Sequence, residues 1–429
     1  MIYLDHSATS PLLPEVKAKM TEIMGLDLGN PSSLHSAGTR AKFELNEARS
    51  KIAQLIGARP LELIFTSSGS ESNNTVLHTF QNCPIFTSAI EHPSVLKPAE
   101  TYGAPHIKIP VNQQGIIDLA FLETKLRETT TNNPKSKILV SIQLANNEIG
   151  TIEPIAKVSA LIQQLKHQTN AKIYLHTDAT QAVGKIPVNA KNLGIDYLTF
   201  TAHKLGGPIG IAALYVKTGA PFTPLILGGA QENHRRAGTS NVLLATGFAT
   251  ACELAEQNLE KYKKVEKLRN YLAKEIKNKI KSSIIVTPVR GETIPSRRHY
   301  GGYDRVLGRE ARNDGPERPV PTDGLSTASK KALPNILCVS FPAAEGESTQ
   351  LYLDLEGIEV STGSACASGD LEPSHVLMAT HHDAEIAHGS VRFSLGLHAT
   401  RQEIDALLEK LPPIIAKIQD LSTLNKGKS

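Results

Sequence analysis

Between residues 62 and 216 the chain alternates two kinds of segment, and that alternation leaves few folds open. Seven short apolar, β-prone runs (62–66, 84–89, 107–110, 138–144, 173–177, 198–201 and 211–216) stand apart, and stretches of helical period such as 119–128 and 155–168 fill most of the gaps. Strands joined through helices pair in parallel, because the helix carries the chain back across the sheet. The expected fold is therefore α/β, with a mostly parallel seven-stranded sheet flanked by helices. Such sheets collect their ligands beyond the carboxyl ends of the strands. There the sequence places His92, Asn146-Asn147-Glu148, Asp178 with Gln181, and His203-Lys204. One polar residue at a strand end is routine, but a set of them predicts a site.

Lys204 follows the sixth run, just before a Leu-Gly-Gly-Pro turn. A lysine at a buried strand end either reaches out to solvent or has its charged form disfavoured, and the second case suits an amine that must attack an aldehyde. Ser67-Ser-Gly-Ser-Glu-Ser72 carries the first run into a helix. Its small residues leave backbone N–H groups free at a helix amino end, which receives a phosphate well; a plain serine-rich cap reads the same stretch equally well. A Schiff-base lysine, an aspartate at a neighbouring strand end and a phosphate cradle together are what pyridoxal 5'-phosphate needs.

Around this centre the chain opens with a short strand from Ile2, then helices over about 14–24 and 39–56 with a Gly/Pro/Ser-rich loop at 29–38 between them. A long charged helix runs from about Ala245 through Lys281, a strand over 335–341 resumes the fold, and a helix starting at Arg401 closes it. The expected division is a large domain over 15–260 and a smaller α+β domain from 1–14 and 261–429. A Gly/Pro/Arg-rich inserted loop at about 289–333 interrupts the latter. No run approaches the ~18 apolar residues of a membrane span, and the strand at Ile2 leaves no room for a signal peptide. The four cysteines are widely spaced, which argues against disulfides and a metal site and for a reducing cytoplasm. Net charge is +4, and nine basic against six acidic residues between Arg290 and Lys331 supply most of it. The near-neutral remainder spells out no nucleic-acid surface. Cys366 sits among glycine, serine and alanine, an accessible setting in which a thiol is a liability unless it is used.

Eleven motifs then share one order with a known family. They are Tyr3-Leu-Asp-His-Ser-Ala-Thr9, Asn30-Pro-Ser-Ser-Leu-His35, Thr66-Ser-Ser-Gly-Ser-Glu-Ser72, Glu91-His92, Asn146-Asn-Glu-Ile-Gly150, Asp178-Ala-Thr-Gln181, Ala202-His-Lys204, Gly228-Gly-Ala-Gln-Glu232, Arg235-Arg-Ala-Gly-Thr-Ser-Asn241, Ser364-Ala-Cys366 and Arg392-Phe-Ser-Leu-Gly396. Through them the chain resembles the cysteine desulfurases, class-V aminotransferase-like enzymes of pyridoxal-phosphate fold type I. The longer Ser-Ala-Cys loop resembles the class serving iron–sulfur assembly and tRNA thiolation.

The resemblance implies that Lys204 forms the Schiff base and shuttles the Cα proton, that Asp178 pairs with the pyridine nitrogen, and that Gln181 bonds the ring's phenolic oxygen. It implies that His92 stacks on the ring and serves as a catalytic acid–base, and that Gly69, Ser70, Thr201 and His203 hold the phosphate, with Thr239 reaching over from a second subunit of a homodimer. Asn147 and Arg392 would grip the carboxylate of L-cysteine. Cys366 would take the sulfur as a persulfide, release alanine, and pass the sulfur to an acceptor such as an iron–sulfur scaffold or a tRNA-thiolation protein. Two departures stand out. The 289–333 segment is longer and more basic than the family's short connection; it is read as a solvated loop, with acceptor docking or weak tRNA contact as alternatives. The cradle reads Ser-Gly-Ser where relatives often carry Gly-Ala-Thr, which keeps its donors. A selenocysteine or cystine β-lyase and a non-catalytic sulfur-transfer protein remain the competing readings.

Overall fold

The computed structural model describes residues 1–132, 137–289, 332–362 and 373–422. After β1 (Ile2–Tyr3), one sheet takes β2 (Leu63–Thr66), β3 (Ile85–Ser88), β4 (His106–Ile109), β5 (Lys137–Ser141), β6 (Lys172–Asp178), β7 (Tyr197–Thr201) and β8 (Ala212–Val216), in the order β2-β8-β7-β6-β5-β3-β4. All seven predicted runs are strands of this sheet. Neighbours are parallel except around β8, which is antiparallel to β2 and to β7. Only ten residues join β7 to β8, too few for a crossover, so the chain doubles back. Strands β2, β3, β7 and β8 are buried throughout, as expected of a sheet covered on both faces.

The second sheet is smaller. It pairs β9 (Ile284–Ile285) and β12 (Ser390–Ser394) with β10 (Ile336–Ser340) between them, while β11 (Ile358–Glu359) pairs with β1. A separate apolar core fills this region, built from Leu4, Leu337, Phe341, Leu353, Phe393 and the inner face of the closing helix, Arg401–Leu421. The opening residues thus begin beside the smaller sheet, in a two-stranded pairing of their own with β11. They then cross to the large one, where Ser10 N–H donates to the His203 carbonyl at 2.9 Å.

Two predicted helices change. The one expected from Thr39 begins at Ser36, because the His35 ring accepts from the Gly38 N–H at 3.2 Å and caps it. The single helix expected from Ala245 through Lys281 is two, Val242–Asn258 and Tyr262–Lys279, joined by a tight turn over Leu259–Lys261. The break redirects the chain. Ala245, Phe248 and Cys252 pack into the core of the large sheet, whereas Val265, Leu272 and Ile276 pack into the smaller core.

Candidate active site

The carboxyl ends of the strands deliver the expected side chains. Asp178 is the last residue of β6, and Lys204 ends the turn Ala202–Lys204 that follows β7. His92 caps the helix Pro93–Tyr102 after β3, and Gly69 opens the helix Gly69–Thr79 after β2. Their electrostatics interlock. Burial holds the His92 imidazole below its ordinary pKa; the Asp178 carboxylate opposes that and Lys204 adds to it. Burial, then Lys204 and Lys185, push His203 down to about 4. Both rings are neutral near pH 7.

A hydrogen-bond chain joins carboxylate to imidazole. Asn73 Nδ2 donates to Asp178 Oδ2 at 2.8 Å and to Ser94 Oγ at 2.9 Å. Ser94 Oγ lies 2.8 Å from His92 Nδ1, which also accepts the Ser94 N–H at 3.1 Å. With Nδ1 accepting, the neutral ring carries its proton on Nε2. The Thr180 N–H holds the other Asp178 oxygen at 2.9 Å. Lys204 Nζ donates to the carbonyls of Ser7 and Ala8, and Gln181 Nε2 meets the same Ser7 carbonyl at 3.0 Å.

Beside them lies an anion cradle. A Cβ on Gly69 would stand 3.0 Å from Thr201 Cγ2 and 3.6 Å from Thr180 Oγ1, so the bare glycine keeps this corner open. Thr201 Oγ1 and Thr180 Oγ1 are both buried without a hydrogen-bond partner among the described residues. Two orphaned hydroxyls beside a helix amino end fit a phosphate. Ser70, exposed on the next helical position, lines a cleft of about 390 Å³ with His92, Asn74 and Lys97. His203 Nδ1 is 3.2 Å from Thr9 Oγ1.

Arg392, on β12, is 3% exposed. Its Nη2 donates to Asp5 Oδ1 at 2.7 Å and its Nη1 to the Asn147 carbonyl at 3.1 Å, while Nε has no partner among the described residues. An incoming carboxylate therefore competes with Asp5 for the guanidinium. Thr239 stands apart from this cradle, exposed in a loop lining a cleft of about 590 Å³ with Ile23, Met24, Leu26 and Val242. Cys366 lies outside the described residues, as does most of the 289–333 segment. Asn73, Ser94, Thr180, Ser7 and Asp5 were not singled out individually from sequence. Asn73 carried one signal, since it sits one helical turn beyond Gly69 on a helix already assigned to the site.

The family described as aminotransferase class-V matches residues 2–295 and 321–407. A cysteine desulfurase IscS from Dictyoglomus turgidum is 40% identical over 431 residues, covering 98% of this chain and 96% of that protein. The chain belongs to the cysteine desulfurase family of class-V aminotransferases. Among solved structures, a NifS-like protein superposes with a TM-score of 0.80 at 33% identity, over 97% of this chain and 99% of its own. A structure of SspA in complex with cysteine superposes at 0.67 with 26% identity, over 93% and 100% of the two chains. The family match skips residues 296–320, inside the segment that sequence analysis marked as longer than a cysteine desulfurase usually carries. Among the described residues, no helix is long and apolar enough to cross a membrane.

Proposed function

We propose that the protein is a cytoplasmic, homodimeric L-cysteine desulfurase that holds pyridoxal 5'-phosphate and passes sulfur to an acceptor protein for iron–sulfur assembly or tRNA thiolation. The observation that carries this reading is the convergence of an amine (Lys204), a carboxylate (Asp178) and a pair of hydroxyls without hydrogen-bond partners among the described residues (Thr201 and Thr180, beside Gly69) at the strand ends. Large exposed side chains, Leu34, Phe43, Ile209 and Leu227, supply apolar surface for a second subunit, with Thr239 as the residue it would lend. We set the division at 15–260 against 1–14 with 261–429: Leu4, Val265, Phe341 and Leu411 support it by filling the smaller core, while Val286, Ile336, Cys338 and Val376 of the second part pack into the larger one.

When bound, the cofactor supplies an electron sink for charge developing at the substrate Cα. The chain's own residues do the rest. Gly69, Ser70, Thr201 and His203 hold the phosphate, and Asp178, fixed by Asn73 and Thr180, presents its charge to the ring nitrogen. Lys204 provides the anchoring amine and moves the Cα proton at Nζ. Asn147 and Arg392 orient the substrate carboxylate, Arg392 with a guanidinium that lysine does not reproduce. Cys366 Sγ attacks the substrate sulfur. The Sγ–S bond forms, the Cβ–S bond breaks, and a proton at Cβ completes alanine, leaving the sulfur on Cys366 as a persulfide.

Mass spectrometry after exposure to L-cysteine tests this. One sulfur atom is expected on the peptide containing Cys366, together with alanine in solution, and both are lost in Cys366→Ala. Sulfide release at full rate from that variant would replace this reading with a β-lyase that needs no acceptor thiol.

A further inference from the structure

Lys185 lies beneath the site and takes no part in the chemistry above. It is 3% exposed, and no carboxylate among the described residues forms an ion pair with it. Its Nζ donates to the Gln181 carbonyl at 3.0 Å and to the Gln181 side-chain Oε1 at 3.1 Å. The other end of that amide, Nε2, donates to the Ser7 carbonyl, which also accepts from Lys204 Nζ.

These contacts admit one orientation of the amide. An ammonium only donates and a carbonyl only accepts. A flipped amide would set NH₂ against the ammonium and oxygen against the Ser7 carbonyl, exchanging two hydrogen bonds for two repulsions. Nε2 keeps a second N–H beyond the Ser7 bond. A buried cation on Oε1 also polarises the amide, which strengthens the donor at its far end.

We propose that Lys185 is a positioning residue that locks the Gln181 amide with Nε2 toward the cofactor's ring oxygen and makes that N–H a stronger donor. The proposal rests on the cofactor reading above. The charges acting on Lys185 are basic, Lys204 and Arg392, with Asp5 already taken by Arg392; the His6 and His203 imidazoles, both lowered to about 4, are neutral. Burial, then Lys204 and Arg392, bring the Lys185 amine down to about 7. An anionic ring oxygen reached through Gln181 is the counter-charge that would favour its ammonium form.

The test reads a spectrum rather than turnover. In the full-length, cofactor-loaded protein, the pH midpoint of the cofactor's absorbance change reports protonation at the Lys204 nitrogen. Removing or weakening a donor to the ring oxygen favours that proton. Gln181→Met and Lys185→Met are each expected to raise the midpoint by about one unit. The double variant is expected to move it no further than Gln181→Met alone, since Lys185 acts through Gln181. Should Lys185→Met fail to fold, Lys185→Leu, which likewise removes both donor and charge, is read the same way.

A shift in Gln181→Met with none at position 185, or two additive shifts, overturns the proposal. No shift in Gln181→Met overturns it together with the placement of Gln181 at the ring. Neither result touches the sulfur adduct on Cys366, so the failure of this proposal and the failure of the desulfurase reading are separately visible.

Discussion

Thr201 holds a buried hydroxyl that bonds nothing among the described residues, and its energetics have two signs. In the protein without cofactor, the unsatisfied oxygen is a liability on the order of 1–3 kcal/mol. With a phosphate in the cradle, the same oxygen has a partner. Thr201→Val keeps the shape and removes the hydroxyl. The variant without cofactor is therefore expected to be more stable than the parent by about 1 kcal/mol in chemical denaturation, yet to bind pyridoxal 5'-phosphate about tenfold more weakly in a fluorescence titration. Lower stability with unchanged affinity would mean that Thr201 only packs against Gly69. Arg392 illustrates the opposite case, a group already engaged, since Asp5 and the Asn147 carbonyl occupy both terminal nitrogens.

The turn Gln231–His234 shows how a single side chain can hold an element. Glu232, Asn233 and His234 all have positive φ, at 49°, 57° and 61°, in a region that side chains other than glycine enter at a cost. The Glu232 carboxylate pins them. It takes both Arg49 terminal nitrogens at 2.7 Å and the Phe65 N–H at 3.1 Å, closing off the open edge of β2. Arg49 in turn lies over the Phe65 ring, 4.5 Å from its centre. Because the pair is largely buried, Glu232→Ala is expected to destabilise the protein by about 3 kcal/mol, whereas His234→Gly, which relieves a left-handed residue on the surface, should leave the melting temperature level or raise it. Equal losses would show that the backbone, not the carboxylate, sets the turn. None of this was legible in the sequence, where Gly228-Gly-Ala-Gln-Glu232 was only a motif. The seven strands and the residues at their ends were legible, because burial on both faces imposes continuous apolar runs. The partners of those residues were not. Asn73 meets Ser94 and Asp178 from 21 and 105 residues away, and only the closed sheet brings them together. The break at Leu259–Lys261 was hidden for a different reason: it contains no glycine or proline, and its cause is the separation of the two cores.

At the scale of the molecule, several ionisable groups are buried, Glu91 and His176 among them within reach of the Asp178 charge, and their titrations oppose one another. Glu91 is fully buried; Ser88 Oγ and the Gln143 N–H hold one of its oxygens, at 2.6 and 2.9 Å. Burial pushes its carboxyl up to about 8, and the Asp178 charge adds to the shift. Kept protonated, Glu91 adds no second negative charge beside the carboxylate assigned to the cofactor. Burial likewise raises Glu148 to about 7 and lowers His176 to about 4. The signs follow from proton counting. A carboxyl raised in the folded state contributes stability that is whole below its unfolded pKa near 4.5 and lost as the pH climbs through the folded value. Lys185, lowered to about 7, does the reverse and adds stability as the pH rises from about 7 toward 10.5. A buried imidazole held near 4 adds stability between about 4 and 6.5. The carboxyl and imidazole slopes offset each other in mild acid, and the carboxyl losses stand alone only near neutrality. Glu91→Gln removes one of those losses while imitating the protonated acid. Relative to the parent, the variant is expected to gain stability steadily between about pH 4.5 and 8, by at most about 1.4 kcal/mol per pH unit, and to gain nothing further above that range. Denaturant unfolding at a series of pH values measures the difference directly. A constant offset between the two proteins from pH 5 to 8 would mean that Glu91 is ionised when folded, and Asp178 would then share its corner of the sheet with a second negative charge.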